Sequence, residues 1–474
     1  MFRYSSALVV ACVCLLAAST RSAEAADFYV DASCSANGNG LGDGCAGSSG
    51  GQGAFRDPSS CFSAVRAGDT CYIKNGTYIT SNRGSDTSVN GGFSVAASGT
   101  SSSPITIRNY PGHSPLLANC STSATDYTSC ANPTITAPGR EYIVIDGLRV
   151  HGGIWIYGNN PGVGAGSRGV VLRNLDVSRG WGEVGDGNWS GFFLENLTGA
   201  LIQSNFIHDI SITSGAGQQS SGGCIKLYQN TDTVVEYNTC RTVRISESQA
   251  GGIDDKAQAT RNTHRFNWIE DVNTCVRINN QLNSSGVRIY GNVCVGMAGT
   301  ARPAIRLLTN INGIEIFNNT LYGFAQGLMI MSEGGPISNV RYYNNIVAGS
   351  PSMNLEAYQA AITSSNFNSW KAGARYQYGG VNSTLLSALA GLGLDVNSSD
   401  ADCQFVSSGS DFRLGSSSPC RGAGRVGGTS GGGAVDRGAY GVTSCVGRGC
   451  TGGTTPPPPS TPAPAAPTNV RVIR

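Results

Sequence analysis

Charge is scarce in this chain. Asp, Glu, Lys and Arg make up 13% of its 474 residues, about half the share of an average soluble domain. The formal net charge is +2, so global charge predicts no nucleic acid and no membrane surface as partner. Long apolar runs are missing too. Past the N-terminal leader no stretch approaches the ~18 apolar residues that a bilayer crossing takes, and no membrane span is expected. The four His show no HExxH or other metal spacing, and there is no P-loop, no dinucleotide glycine fingerprint and no GxSxG. Zinc peptidase, nucleotide-binding and nucleophile-elbow chemistry are therefore excluded by motif. Through the repeated middle of the chain, no long stretch repeats its apolar positions with the helical period.

What the chain has in excess is glycine, 66 residues, roughly twice the usual share, together with 16 Cys. Residues 1–25 read as a secretory signal peptide: Arg3, an apolar run from Ala7 to Ala18, and Ala23-Glu24-Ala25 as a cleavage site. Setting aside Cys12 and Cys14 in that leader, the remaining Cys fall as local neighbours. These are Cys34 with Cys45, Cys61 with Cys71, Cys120 with Cys130, Cys224 with Cys240, Cys275 with Cys294, Cys403 with Cys420 and Cys445 with Cys450. In a secreted chain this even set favours disulfides over metal ligands, although sequence alone leaves the connectivity open. The expected location is extracellular, with association to a cell surface as a variant, and the expected state is a monomer.

The organising feature is a ladder. Short alternating apolar runs end on Gly147, Asn174, Asn205, Asn238, Asn267, Asn292, Asn319 and Asn345. The period, about 27 residues, is that of a solenoid. Alternation makes each run a strand with one buried face, and Gly, Asn, Ser and Thr between the runs supply turns. Coils built only of short strands and turns predict an all-β fold, a right-handed parallel β-helix whose coils stack at about 4.8 Å. The Asn column is then structural, because stacked Asn side chains bond to each other and to turn backbone and tolerate the left-handed conformation. The leucine consensus of leucine-rich repeats is missing.

This divides the chain into the leader (1–25), an N-terminal cap with first irregular coils (26–140), a β-helix core (141–350), closing coils (351–445) and a Pro-rich linker and tail (446–474). Within the cap, Ser59 to Ala67 predicts a short helix, and Leu355 to Ala374 and Ser383 to Leu392 read as helical or irregular. The phrase Gly68-Asp69-Thr70-Cys71-Tyr72-Ile73-Lys74-Asn75-Gly76-Thr77-Tyr78, with Ser103-Pro104-Ile105-Thr106-Ile107-Arg108, resembles the opening of secreted bacterial β-helix polysaccharide lyases of the chondroitin B and alginate lyase type. Asp411 to Leu414, Ser418-Pro419-Cys420 and Asp436 to Tyr440 resemble the closing segment of surface-associated β-helix proteins. Pro467 to Arg474 resembles the first strand of a fibronectin type III domain.

Each coil carries a second strand ahead of its Asn rung. With apolar partners inward, the outward residues form a column: Trp155 and Tyr157, Phe193 and Glu195, Lys226, Asp254 and Lys256, Arg277, Arg306. At about 4.8 Å per coil it spans roughly 20 Å from Glu195 to Arg306. Aromatic faces suit sugar stacking and Arg forks suit carboxylates, so an acidic polysaccharide is the expected partner. An equally simple reading is a solvated face of alternating charge. The stretch Gly223 to Tyr228 resembles the lysine-bearing coil of the alginate and chondroitin B lyases, which implies Lys226 as catalytic base, with Lys256 or Arg277 as its helper. Arg306, His264 and Arg265 join Trp155, Tyr157 and Phe193 as substrate contacts. Calcium, the one cofactor expected, would sit on Glu195 with Asp254 or Asp255, although strict alternation turns Asp255 inward. The functional expectation is β-elimination of a uronic-acid polymer of the alginate or pectate class. Its rivals are a non-catalytic glycan-binding surface protein and an inverting hydrolase of polygalacturonase type, whose G-H-G and R-I-K phrases are absent. The loop from Arg179 to Ser190, with Trp181 and Trp189, is expected as a groove wall.

Overall fold

Each rung of the ladder is one side of a triangular coil. The computed structural model describes residues 24–80, 92–119, 133–158, 166–180, 190–211, 222–244, 251–279, 282–331, 335–358 and 361–450. Among them run three long sheets of twelve, ten and twelve strands. Sheet I starts at Asp27–Val30 and contains the rungs, from Ile143–Asp146 to Ile337–Tyr343, ending with Ile362–Asn366. Sheet II follows each Asn corner, from Thr77–Ile79 to Ile346–Ala348. Sheet III runs from Phe93–Ser94 through Ile154–Tyr157, Ser190–Glu195, Gly223–Tyr228, Gly251–Lys256, Thr274–Asn279 and Pro303–Leu307 to Val381–Ser383. The strands of these sheets pair in parallel except for the last of sheet III, which is antiparallel to Arg375–Tyr378. The chain is a parallel β-helix.

Burial follows the alternation. On sheet III the inward residues Ile154, Phe192, Ile225, Ile253, Val276 and Ile305 stack coil on coil, and Ile145, Leu172, Ile202 and Val235 do so on sheet I. Each such side chain contributes about 1.5–3 kcal/mol by leaving water. Cys224–Cys240 and Cys275–Cys294 each tie sheet III to sheet II. Six of the expected local disulfides form; Cys120 and Cys130 lie outside the described residues.

The Asn column is a continuous hydrogen-bond ladder. Asn205, Asn238, Asn267, Asn292 and Asn319 each donate Nδ2–H to the Oδ1 of the next, the fifth to Asn345, at 2.9–3.0 Å. The same Oδ1 atoms accept the backbone N–H of the coil below at 3.0–3.1 Å. The left-handed backbone that the corner needs is carried by the preceding residue, not by the ladder Asn: Ser204, Tyr237, Phe266, Gly291, Asn318 and Asn344 have φ between 51° and 66°. For Tyr237 and Phe266 this costs about 1–3 kcal/mol, offset by the Asn bonds that fix the corner.

At the ends, one stretch departs from the sequence reading: Leu355 to Ala374, expected as helical or irregular, carries strands. Helix Pro58–Ala64, capped by the Asp57 side chain, packs Phe62 against Phe93, as expected of a cap, but parallel strands already begin at Asp27. At the other end coils continue past residue 350 through Met353–Ala357, Ile362–Asn366 and Arg375–Tyr378, leaving only the one-turn helix Ser387–Ala390. The closing segment then runs back along the coils. Arg425 bonds to Asn344, Ala439 to Thr320, Gly447 to Phe266 and Arg448 to Thr239, so it straps the buried aromatics Tyr237, Phe266, Tyr290, Phe317 and Tyr343.

Candidate functional site

Register on sheet III places Trp155, Phe193, Lys226, Asp254, Arg277 and Arg306 side by side, one residue per coil. These six residues of the outward column read from the sequence form one file. Trp155 stacks on Phe193 with ring centres 5.9 Å apart and planes within 6°. Lys226 Nζ lies 5.6 Å from the Phe193 ring centre and 3.9 Å from Asp254 Oδ2. Arg277 donates Nε–H to Asp254 Oδ1 at 2.7 Å and Nη2–H to Oδ2 at 2.6 Å. Arg306 turns its guanidinium to the Met331 sulfur.

The central three are out of water: Lys226 and Asp254 are 0% exposed and Arg277 1%. Burial alone would raise the Asp254 pKa, but the charges of Arg277 and then Lys226 hold it below the usual carboxylate range. The row is therefore a carboxylate held between two basic side chains in a low-dielectric setting, where each interaction counts for more than at a solvated surface. That corrects the solvated-face reading.

Tyr157, Glu195, Tyr228, Lys256 and Asn279 form a second file, two residues along each strand and about 7 Å from the first. All are partly exposed. Lys256 is close enough to contribute to the field on Asp254.

Other expected site residues fall elsewhere. Asp255 faces into the coil interior, where its Oδ2 meets His264 Nε2 and accepts from Asn262 Nδ2, both at 2.9 Å. His264 is the middle residue of Thr263–Arg265, so alternation turns it inward, and it is fully buried. It touches the core side of Asp255 and not the column. Arg265 points outward from sheet I, where it pairs with Glu236 at 2.6 Å and Tyr290 Oη at 2.9 Å. A different side of the triangle carries it. The calcium set does not assemble either. Asp255 is inside the coil, Glu195 stands in the second file, and both oxygens of Asp254 are held by Arg277. Trp181 and most of the expected groove wall lie outside the described residues.

Two features carried no motif. The file continues beyond Arg306 through Met329, Glu356 and Gln377. On sheet II, His208 bridges two carboxylates, Nδ1 to Asp209 at 2.6 Å and Nε2 to Asp176 at 2.9 Å, and stacks on Phe206. The adjacent His208-Asp209 was visible, but Asp176 joins them only through coil stacking.

No family model matches the chain, and no curated protein matches it. Among solved structures it is similar to a pectate lyase, Pel9A, at 16% identity, with 87% of this chain and 95% of that one covered and a TM-score of 0.47. It is similar to a rhamnogalacturonan lyase at 15% identity, covering 73% and 87%, with a TM-score of 0.48. It is also similar to an alginate lyase from Paenibacillus sp. str. FPU-7 at 17% identity, covering 60% and 96%, with a TM-score of 0.32. At such identities the likeness is one of fold.

Proposed function

We propose that this chain is a secreted polysaccharide lyase that cleaves a uronic-acid polymer by β-elimination. The observation that carries this reading is the single file of sheet III, in which stacked aromatics run directly into Lys226, Asp254 and Arg277. Elimination needs the C6 carboxylate neutralised, the C5 proton removed and the departing C4 oxygen protonated. In this reading Arg277 and Arg306 offset the carboxylate charge. Lys226 in its neutral form takes the C5 proton to leave a C4–C5 double bond, and the Lys256 ammonium supplies the proton to the leaving oxygen. Trp155 and Tyr157 hold neighbouring rings. Neutralisation is assigned to side chains because the three carboxylates do not converge on one ion.

A second reading is a non-catalytic glycan-binding protein. The complete burial of Lys226, Asp254 and Arg277 favours it, since a base must be reached by its substrate.

Ultraviolet absorbance of the unsaturated product separates the two. Purified protein is mixed with alginate, polygalacturonate, chondroitin or hyaluronan, with calcium or with chelator. The expected result is product from one polymer, insensitive to chelator and lost in Lys226→Ala. Silence across the panel, with one polymer still retained by the protein, overturns the lyase reading in favour of the binder.

A further inference from the structure

The outward file of sheet III does not stop at the charged row. Three coils beyond Arg306, about 14 Å along the stack, it reaches Gln377. There the sheet closes with a hairpin: Arg375–Tyr378 turns at Gly379 and Gly380, with φ of 56° and 86°, into Val381–Ser383. Gln377 faces Asn382 across that hairpin. Directly opposed residues of an antiparallel pair share a face, so two side-chain amides stand together on the outward side.

Beside them opens a cleft of about 470 Å³ lined by Tyr358, Gln377, Asn382 and the glycine turn, a volume within the range of small-ligand sites. Tyr358 is 54% exposed, more than any other aromatic among the described residues. Yet its ring is not free to swing. Its hydroxyl donates to Glu356 Oε1, and the other Glu356 oxygen accepts from Gln326 Nε2 at 2.7 Å. Glu356 itself is 7% exposed. An aromatic ring kept in water at the cost of its hydration, anchored by its hydroxyl and flanked by two amides, has the composition of a sugar site. The ring offers a face to C–H groups, and each amide offers a donor and an acceptor to neighbouring hydroxyls. The Glu356 carboxylate behind the ring opposes an anionic sugar.

We propose that this cleft binds an uncharged sugar residue of a glycan chain, with Tyr358 as stacking platform and Gln377 and Asn382 as hydroxyl partners. The outward face of sheet III then reads a chain that carries neutral as well as acidic units. This site goes beyond the lyase reading and is measured by binding, so silence in the elimination assay leaves it standing.

The test is calorimetric titration of the full chain with cellohexaose, xylohexaose and mannohexaose, and with hexagalacturonate as the anionic contrast. At least one neutral hexaose is expected to bind, with affinity about tenfold weaker in Tyr358→Ala and in Gln377→Ala, a loss of about 1.4 kcal/mol. Tyr358→Phe keeps the ring but loses the anchoring bond to Glu356, and is expected to bind more weakly than the parent and more tightly than Tyr358→Ala. Circular dichroism checks that the surface variants remain folded. Absence of binding by every neutral hexaose overturns the proposal, as does neutral binding unchanged in both alanine variants. So does hexagalacturonate binding that is itself lost in Tyr358→Ala.

Discussion

Arg277 grips Asp254 from the next coil with two parallel hydrogen bonds, Nε to Oδ1 at 2.7 Å and Nη2 to Oδ2 at 2.6 Å, and neither side chain is in contact with water. Such forked pairs are strong because the guanidinium geometry matches both carboxylate oxygens. Removing one partner leaves the other charge buried. Arg277→Met is therefore expected to lower stability by about 3–5 kcal/mol, read as a shift in the denaturant midpoint. Adding Asp254→Leu should recover part of that loss. If the double variant loses the sum of the two single losses, the pair is not coupled as the geometry requires.

His208 makes a pH-dependent contribution. Burial by itself would lower its pKa, but hydrogen bonds that its ring donates to the Asp176 and Asp209 carboxylates outweigh this and raise it above 6.5. Facing the same cluster are His151, Arg149 and Arg448. A raised folded-state pKa means that the stabilisation is complete below 6.5 and is lost as pH rises through the folded value. The stability difference between the protein and His208→Gln should therefore be larger in mildly acidic buffer than in alkaline buffer. A difference that is flat across that window, or that grows with pH, contradicts this assignment.

Asn267 accepts two bonds from Asn238 and donates to Asn292, Val235 and Arg265. Asn267→Ala strands a buried backbone N–H and breaks the ladder in the coils next to the charged row. The expected cost is about 1–3 kcal/mol per orphaned group, measured by equilibrium unfolding. A change below about 0.5 kcal/mol, the size of an ordinary surface substitution, would show that the ladder is ornamental to stability.

The ladder and the column were readable because both are one-dimensional signals. A period near 27 residues places each Asn above the last, and strict alternation assigns each outward residue to a face. The same rule turned Asp255 inward in the sequence reading, and the structure places it there against His264. What alternation leaves out is which side of the triangle a strand occupies. Arg265 follows the charged stretch closely in sequence, yet it belongs to sheet I and so meets Glu236 instead of the column. At the later corners the left-handed residue stands one before the ladder Asn, as at Tyr237 and Phe266, whereas Gly147 and Asn174 of the first rungs take that conformation themselves. Steric propensity favours Asn there, but the buried Asn amides are worth more in the ladder.

The sequence by itself determined the solenoid, its period and its inward and outward residues, because each follows from neighbours in the chain. Only the tertiary structure decided that Lys226, Asp254 and Arg277 form a closed, buried row, that the last strap covers the aromatic corner, and that Tyr358, Gln377 and Asn382 share a cleft. These depend on coil register and on burial, which arise when about 27-residue turns stack. Local sequence carries the direction of a side chain; stacking decides what it meets.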